Sequence, residues 1–475
     1  MSALRNAGAM VPGLPASWAE LAPGALSRRQ FSVQGATLLL MATFLASAIL
    51  GAVRQVLLGA HFGATETTGA FEATSRLPDI LFTLIAGGAL SSALLPVLSS
   101  ERLRGGNAAA WRLISMVLNA LLLGLVSLSL LGMLFAPLFV RFLLLPGYSA
   151  EAQDIGVTMT RVMLLQPAVL GAGTVITAWL NSQHRFFLPA IGVACHNAGI
   201  LSGIGLAMLV PEIGIWGPVW GVVGGAILQV TITALGLVGE RPREQWVPRI
   251  DPHDPGLRAV AVLLIPNGLS TGVNYAGWMV EAAFGTTVAD ERTVLALTNG
   301  WLMAGLSVTL LGAAIGQAAF PRLAAYFAAG SHDAFRRLAL GTLAVAVGGS
   351  LPAAALLLGG GDLVAELLFG HGEYDDQAVR LTADVMAVYA LGLPAYIGTE
   401  IASRTILAMR DARTPLLTNT LQLLVRTAII ATLLPVWGVL AIPLAYVVSS
   451  AIEAAILVTL AWRRSGRRAG FPAPA

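Results

Sequence analysis

The sequence predicts an all-α polytopic membrane protein with about twelve transmembrane helices, arranged as two pseudo-symmetric six-helix lobes around a central cavity. Three observations support this prediction: the composition, the spacing of apolar stretches and an internal repeat. The 475 residues are 56% hydrophobic and only 11% charged, whereas soluble domains carry about 25% charged residues. The mean hydropathy of +0.77 agrees with an integral membrane protein.

Apolar stretches of about 20 residues, the length that crosses a bilayer as a helix, recur along the chain. They predict twelve spans, at residues 36–58, 78–98, 114–138, 156–180, 187–210, 214–238, 259–284, 294–320, 340–358, 381–407, 415–435 and 438–462. The first 35 residues lack the compact apolar core of a secretory signal and are predicted to be a cytoplasmic tail.

The arginines indicate how the chain lies in the membrane. With the amino terminus in the cytoplasm, 20 of the 28 arginines fall in inner segments and four in outer segments. This asymmetry follows the positive-inside rule. An even number of spans returns the arginine-rich carboxyl terminus to the cytoplasm, so both termini are predicted to lie there.

The two halves of the chain resemble each other at a nearly constant offset of 221 to 227 residues. Pro96 matches Pro321, Tyr148 matches Tyr374, Pro167 matches Pro394, Pro189 matches Pro415, and Trp216 matches Trp437. Because six spans is an even number, two such lobes share one orientation, and parallel repeats of this kind typically enclose a substrate cavity. The predicted organisation is a tail at 1–35, an N-lobe at 36–240, a cytoplasmic linker at 241–258, a C-lobe at 259–462 and a tail at 463–475.

Polar residues inside the first and seventh spans are the candidate cavity residues. Ser47, Gly51 and Arg54 share one helix face, and a charge inside a bilayer usually faces protein or water. In the seventh span a polar stripe recurs at spacings of three and four residues, and it comprises Asn267, Thr271, Asn274, Trp278 and Glu281.

By the repeat, Arg54 and Glu281 lie at nearly equivalent depths, which leaves two interpretations open. They either form an ion pair that docks the lobes, or Arg54 contacts an anionic substrate while Glu281 balances it. Arg76, at the start of the second span, is a further candidate for the cavity or for the membrane interface.

Other kinds of site are not indicated by the sequence. No arrangement of nucleophile, base and orienting group is present, so we expect a transporter rather than an enzyme. Cys195, His196 and Asn197 are consecutive, but no other His or Cys cluster would complete a metal site with them. We expect no cofactor and no nucleic-acid partner, and we expect a monomer in the bilayer.

The amino-terminal motifs resemble a known family. "LGAVRQVLLGAHFGAT" followed by "FEATSRLPDILFTLIAGGALSSALLPVLS" is similar to the opening of the MurJ/MviN group of lipid II flippases, within the superfamily that includes the MATE transporters. The matching positions are Leu50, Gly51, Arg54, Phe62, Gly63, Leu77, Pro78, Gly88, Ala89, Pro96 and Leu98. Two further stretches, "LNSQHRFFLPAIG" and "AMRDARTPLLTN", extend the resemblance to residues 36–462.

The resemblance implies a MATE-like fold and alternating-access transport of a polyprenyl-pyrophosphate-linked saccharide, such as lipid II, to the outer leaflet. It also implies that Arg54 and Arg76 occupy basic cavity positions. This chain departs from the family at Ala48, Phe82 and Trp301, where relatives carry arginine. It departs again in its predicted twelve helices, where the family typically has fourteen.

Two alternatives use the same fold. Trp278, Trp301, Asn274 and Glu281 would suit an organic cation, so a cation-coupled exporter of small amphiphiles is one alternative. A non-transporting scaffold for envelope assembly is the other, because several cavity arginines are absent. A flippase is expected to need no cofactor, with coupling to a monovalent ion or to the membrane potential.

Overall fold

A computed structural model describes residues 33–85, 88–183, 185–238 and 246–465, and the side chains of some helical positions lie outside this description. Within these ranges the chain is helical and contains no strand. The α-helices are α1 (Val33–Phe62), α2 (Glu66–Ile85), α3 (Gly88–Phe139), α4 (Ala150–Met163), α5 (Gln166–Ser182), α6 (Phe187–Leu209), α7 (Trp216–Ala234), α8 (Pro255–Thr286), α9 (Thr293–Ser307), α10 (Ala314–Ala328), α11 (His332–Phe369), α12 (Asp376–Leu391), α13 (Leu393–Ala408), α14 (Arg413–Trp437) and α15 (Ala441–Ser465). The predicted all-α fold class is confirmed.

Each predicted span coincides with one of these helices or with a consecutive pair. By length and hydropathy, eight stretches of the described chain could cross a membrane, and the α12–α13 pair, bent by 47°, would make nine. Some of these stretches hold two helices in succession, as Arg413–Ser465 holds α14 and α15. The count of twelve crossings therefore stays a prediction, and most of the two predicted tails and part of the predicted linker lie outside the described residues.

The second and third predicted spans meet inside the long helix α3. The helix breaks at Gly105 and Gly106, where Gly106 has a φ of 68°. This left-handed backbone conformation is one that glycine adopts without steric penalty. The break turns the chain between two apolar segments, so α3 behaves as two helices.

Irregular elements recur at the offset that relates the two halves of the sequence. The α4–α5 span is interrupted at residues 164–165, and the α12–α13 span is interrupted at Gly392. Short 3₁₀ turns lie at Pro211–Ile213 and Gly438–Leu440. Gly214 and Gly438 at these turns have positive φ values of 52° and 57°. The same local breaks therefore accompany the repeated sequence motifs.

The chain divides into two compact units whose boundaries cross some of the helices. Unit 1 comprises residues 1–58, 74–142 and 150–272, and unit 2 comprises 59–73, 143–149 and 273–475. Two short segments of the first half of the chain are thus part of unit 2.

The apolar core of unit 1 lies between α3 and α5. The rings of Trp111 and Trp179 pack with centroids 4.5 Å apart, and Leu121, Leu125 and Val175 are buried around them. Phe82 packs against this cluster. Phe82, where the family resemblance implies arginine in relatives, is therefore an apolar packing residue in this chain.

Helices α6 and α7 of unit 1 approach each other through glycines. A Cβ added at Gly199 would lie 2.2 Å from the Cα of Gly225, and one at Gly203 would lie 2.2 Å from the carbonyl oxygen of Gly217. Small residues at such contacts let two membrane helices pack backbone to backbone, where dispersion rather than hydrophobicity drives association. This contact positions Asn197, on the same helix α6, for the site described below.

We expect Gly203→Ala to destabilise the fold, because the added methyl group must push the α6 and α7 backbones apart. Overpacking of this kind typically costs about 1–3 kcal/mol. The measurement is the thermal unfolding midpoint of the purified protein in detergent. Gly205→Ala is the matched control, because nothing lies within 4 Å of a Cβ at that position. Equal midpoints for the two variants would contradict the glycine contact.

Candidate functional site

The small polar face predicted for α1 packs against α6 in unit 1. The side-chain amide of Asn197 donates to the Ser47 hydroxyl at 3.0 Å and to the Ser47 carbonyl at 3.2 Å. Gly51 lies one turn further on, and a Cβ there would be 4.0 Å from the Asn197 oxygen. The amide therefore holds α1 and α6 together at the level just before Arg54.

Arg54 follows on the same face of α1 and is half-buried. Its Nε is buried and has no hydrogen-bond partner among the described residues. His196, next to Asn197 on α6, lies close enough for an electrostatic interaction with Arg54. A charged residue inside a membrane helix is a candidate for a functional site, although the unpartnered Nε alone does not distinguish Arg54, since the Nε of Arg426 is also buried without a partner among the described residues.

The remaining predicted residues on α2 and in the first part of the α8 stripe are only partly described. Arg76 is half-buried on α2, ten residues after that helix begins. Three members of the stripe on α8, namely Asn267, Thr271 and Asn274, have side chains outside the described residues. Their place in a binding site stays a prediction.

Glu281 in unit 2 has an ion-pair partner that sequence reasoning did not identify. The Arg426 Nη1 donates to Glu281 Oε1 at 2.8 Å, and only 2% of Arg426 is exposed. Arg426 of α14 is thus a partner of Glu281 within unit 2, and the interpretation that Arg54 and Glu281 form an ion pair stays a prediction. The repeat relates positions in the two halves, but it does not show which side chains within one lobe face each other.

Five aromatic rings surround this ion pair. The Trp301 ring packs against those of Trp278, Tyr389, Tyr396 and Tyr446 with centroid distances of 5.1 to 5.6 Å. The structure thus brings two predicted residues, Trp278 and Trp301, together with Glu281.

Arg426 is the cation of this aromatic cluster. Its guanidinium carbon lies 4.6 Å from the Tyr446 ring centroid, a cation–π contact. The cluster in unit 2 therefore already contains a cation and its counter-charge.

On the two turns of α14 that precede Arg426, a ladder of polar side chains joins α14 to α15. Gln422 donates to the Ser450 hydroxyl at 3.0 Å, and the Thr418 hydroxyl donates to Glu453 at 3.0 Å. Thr418, Gln422 and Arg426 are spaced by four residues, so they lie along one face of α14. This spacing is visible in the sequence and could have indicated a polar helix–helix contact.

Two other arginines within the spans have local partners. Arg404 Nε donates to Glu400 at 2.9 Å within α13, so this pair satisfies itself on one helix. Arg161 is exposed and donates to the Met133 carbonyl at 3.2 Å. Arg404 is thus neutralised by a carboxylate, whereas Arg161 is anchored by a neutral backbone carbonyl.

The repeat-related tyrosines are both buried at loops of unit 2. A Cβ at Gly69 would lie 2.2 Å from the Tyr148 hydroxyl oxygen, and one at Gly59 would lie 3.1 Å from the Tyr374 ring. Each tyrosine therefore packs onto a glycine of the 59–73 segment. Burial raises the pKa of Tyr374 to about 12, so its hydroxyl stays neutral at physiological pH.

An arginine clamp fixes the neighbouring loops. The Arg292 guanidinium donates to Asp375 at 2.6 Å and to Asp290 at 3.2 Å. The hydrogen bond from Arg292 holds the pKa of Asp375 below its ordinary value. The backbone N–H of Glu373 donates to the Ala60 carbonyl at 2.8 Å, which ties residues 59–73 to the same loops.

No group of three or more His, Cys, Asp or Glu side chains that could hold a metal ion occurs in the described ranges. Cys195 is half-buried.

Comparison with known sequences gives one consistent family. The family model described as lipid II flippase MurJ matches residues 58–472. A probable lipid II flippase MurJ from Rhizobium meliloti is 25% identical over 445 residues, covering 92% of this chain and 81% of the relative. The lipid II flippase MurJ of Burkholderia cenocepacia is 27% identical over 395 residues, covering 82% and 75%.

Solved structures show the same fold. A lipid II flippase MurJ in an inward closed conformation aligns with a TM-score of 0.76 at 19% identity, covering 89% of this chain and 87% of that one. An inward-facing MATE multidrug transporter aligns with a TM-score of 0.75 at 12% identity, covering 88% and 94%. With the family model spanning most of its length, this chain belongs to the MurJ family of lipid II flippases.

Proposed function

We propose that this protein moves a polyprenyl-pyrophosphate-linked saccharide, the class that includes lipid II, from the inner to the outer leaflet by alternating access. The observation that carries the proposal is the family match over residues 58–472. The fold shared with MurJ and MATE structures supports it.

Arg54 is the residue that we propose contacts the pyrophosphate. Hydrogen bonds between guanidinium and phosphate are charge-assisted and about twice as strong as neutral ones. Arg54 is half-buried in α1, and its Nε has no hydrogen-bond partner among the described residues. A dianionic headgroup would supply a counter-charge to the half-buried guanidinium, and the Ser47–Asn197 contact would keep the helix in register.

We propose a bacterial inner-membrane location, with both termini in the cytoplasm and a monomer as the working unit. The 20 arginines assigned to inner segments support the orientation. Arg76 and the stripe Asn267, Thr271 and Asn274 are proposed as further cavity contacts, and Trp278, Glu281 and Trp301 as an aromatic and ionic brace within unit 2.

The exporter alternative is weakened by the ion pair in unit 2. An organic cation bound by Glu281 would have to displace Arg426, which also lies against the Tyr446 ring. Removing one partner of a buried pair leaves an uncompensated charge and costs about 3–5 kcal/mol. The aromatic cluster is therefore better explained as the surroundings of an internal cation than as a pocket for an external one.

The membrane potential is the proposed driving force, with a monovalent ion as the alternative. A potential that is negative inside is worth about 2.3 kcal/mol per elementary charge per 100 mV, and it favours outward movement of an anionic headgroup. In the assay below, collapse of the potential with valinomycin and K⁺ should slow translocation, and an unchanged rate would favour ion coupling.

Arg54→Ala should abolish translocation while leaving the protein folded, because the headgroup loses its charged contact. The measurement is the share of polyprenyl-linked precursor on the outer leaflet of spheroplasts that depend on the variant, read with a membrane-impermeant headgroup reagent. We expect a loss of about tenfold or more, the factor that corresponds to one charge-assisted contact.

Arg161→Ala is the matched control for Arg54→Ala, because that arginine is exposed and donates to a backbone carbonyl. The control should translocate normally. A normal outer-leaflet share for Arg54→Ala, or an unchanged precursor distribution on depletion of the whole protein, would rule out the flippase and favour the scaffold.

The contributions of Glu281 and Arg426 to the free energy of unfolding should be strongly coupled. Arg426→Met and Glu281→Gln should each lower the free energy of unfolding by about 3–5 kcal/mol, and the double variant by much less than the sum. The measurement is a double-mutant cycle on unfolding in detergent. The Glu400–Arg404 pair is the control cycle, and its coupling should be smaller because its side chains are 33% and 23% exposed.

If the losses of unfolding free energy for Glu281→Gln and Arg426→Met were additive in the double variant, the proposed ionic brace would be contradicted. A stable Glu281→Gln variant that loses drug resistance conferred by overexpression would favour the exporter instead.

A further inference from the structure

We propose that unit 2 carries a binding groove for one anionic phospholipid, distinct from the site for the transported substrate. Two adjoining cavities of about 210 and 570 Å³ lie along α11, α13 and α15. Both are lined by Leu340, Leu343 and Val458, so they form one continuous groove, called here the lipid groove. The inference does not depend on which saccharide the protein transports.

Apolar side chains line the walls of the lipid groove, and small ones lie at its floor. α11 forms one wall and α15 the other, while α13 forms the floor. At Gly398 on the floor, a Cβ would meet only Ala454 at 3.8 Å and Val347 at 4.0 Å. Small side chains at these positions leave a hollow that fits an acyl chain.

A cation lies at the head of the lipid groove. Arg336 packs over the Trp462 ring at 4.5 Å from the centroid, donates from Nε to the Ser465 hydroxyl at 2.9 Å, and donates to the Trp462 carbonyl at 3.2 Å. These contacts hold the guanidinium in place without neutralising it.

The neighbourhood of Arg336 adds positive charge. Within the described part of the chain, no carboxylate forms an ion pair with Arg336, Arg337 or Arg463, whereas Arg464 pairs with Asp411. Clusters of arginine beside the end of a membrane helix attract anionic lipid headgroups. The charge of the groove head therefore complements a phosphate.

The length of the groove fits one leaflet. Arg336 and Val347 are eleven residues apart on α11, which is about 16 Å at 1.5 Å per residue. Half of a hydrocarbon core of about 30 Å is of the same length. A phospholipid with its phosphate at Arg336 would thus lay one acyl chain along the groove, whereas a polyprenyl chain is much longer than the groove.

The test is lipid retention by the full-length protein, purified from membranes and exchanged into detergent micelles that contain phosphatidylglycerol or phosphatidylcholine. Bound lipid is counted by native mass spectrometry. The wild type should retain phosphatidylglycerol in preference. Arg336→Gln should weaken that retention about tenfold, the effect of one charge-assisted contact, and the neighbouring, exposed Arg337→Gln should stay within about twofold of the wild type.

A second pair of variants tests the apolar part without touching the arginine. Ala344→Trp places a large ring in the groove, while Val345→Trp places it at an adjacent exposed position that does not line the groove. Only Ala344→Trp should lose bound lipid, and its thermal unfolding midpoint should no longer rise with added phosphatidylglycerol.

Three results would overturn the lipid groove. Equal retention of phosphatidylglycerol and phosphatidylcholine by the wild type would contradict recognition of the headgroup by Arg336. Equal losses of bound lipid for Ala344→Trp and Val345→Trp would show that the acyl chain does not lie in the groove. Preferential displacement of phosphatidylglycerol by polyprenyl phosphate would assign the groove to the substrate class instead. Translocation by Arg336→Gln is measured in parallel, so a failure of the groove is distinguishable from a failure of the flippase.

Discussion

The structure depends on one constraint: a charged group inside a bilayer must have a partner that replaces water. Arg426 meets it through Glu281 and the ring of Tyr446. Arg404 meets it through Glu400 on its own helix. Arg54 is held beside α6, yet its Nε lacks a hydrogen bond among the described residues. Arg404 and Arg426 are thus neutralised by carboxylates of the protein, whereas Arg54 is the arginine that we propose for an external anion.

The packing around these arginines follows from the same constraint. The ladder of Thr418, Gln422 and Arg426 satisfies polar groups across α14 and α15, where apolar burial adds little driving force in lipid. In unit 1, close approach of α6 and α7 through Gly203 and Gly217 leaves Asn197 in position to bind Ser47. Rigid helix pairs therefore hold the polar side chains, and the arrangement suits a transporter whose site must keep its geometry as the lobes move.

Sequence reasoning could predict the fold class but not the pairings. Composition and apolar length predict a polytopic helical protein, and the repeat of Tyr148 with Tyr374 marks corresponding loops. The partner of Glu281 could not be predicted, because Arg426 is 145 residues away and no periodicity links them. The sequence also marks Trp301 as a candidate, but its neighbours Tyr389, Tyr396 and Tyr446 come from three other helices and no pattern predicts them. A sequence pattern shows which face of a helix is polar, whereas packing decides what that face meets.

The central claim is that Arg54, and not Arg426, contacts the pyrophosphate of the substrate. The most direct measurement is ³¹P–¹⁵N dipolar dephasing by solid-state NMR, on protein with ¹⁵N-labelled arginine in bilayers that contain a polyprenyl-pyrophosphate saccharide. The account predicts a short phosphorus–guanidinium distance that disappears in Arg54→Lys and persists in Arg404→Lys. A phosphorus contact that survives Arg54→Lys, or none in the wild type at saturating substrate, would contradict it.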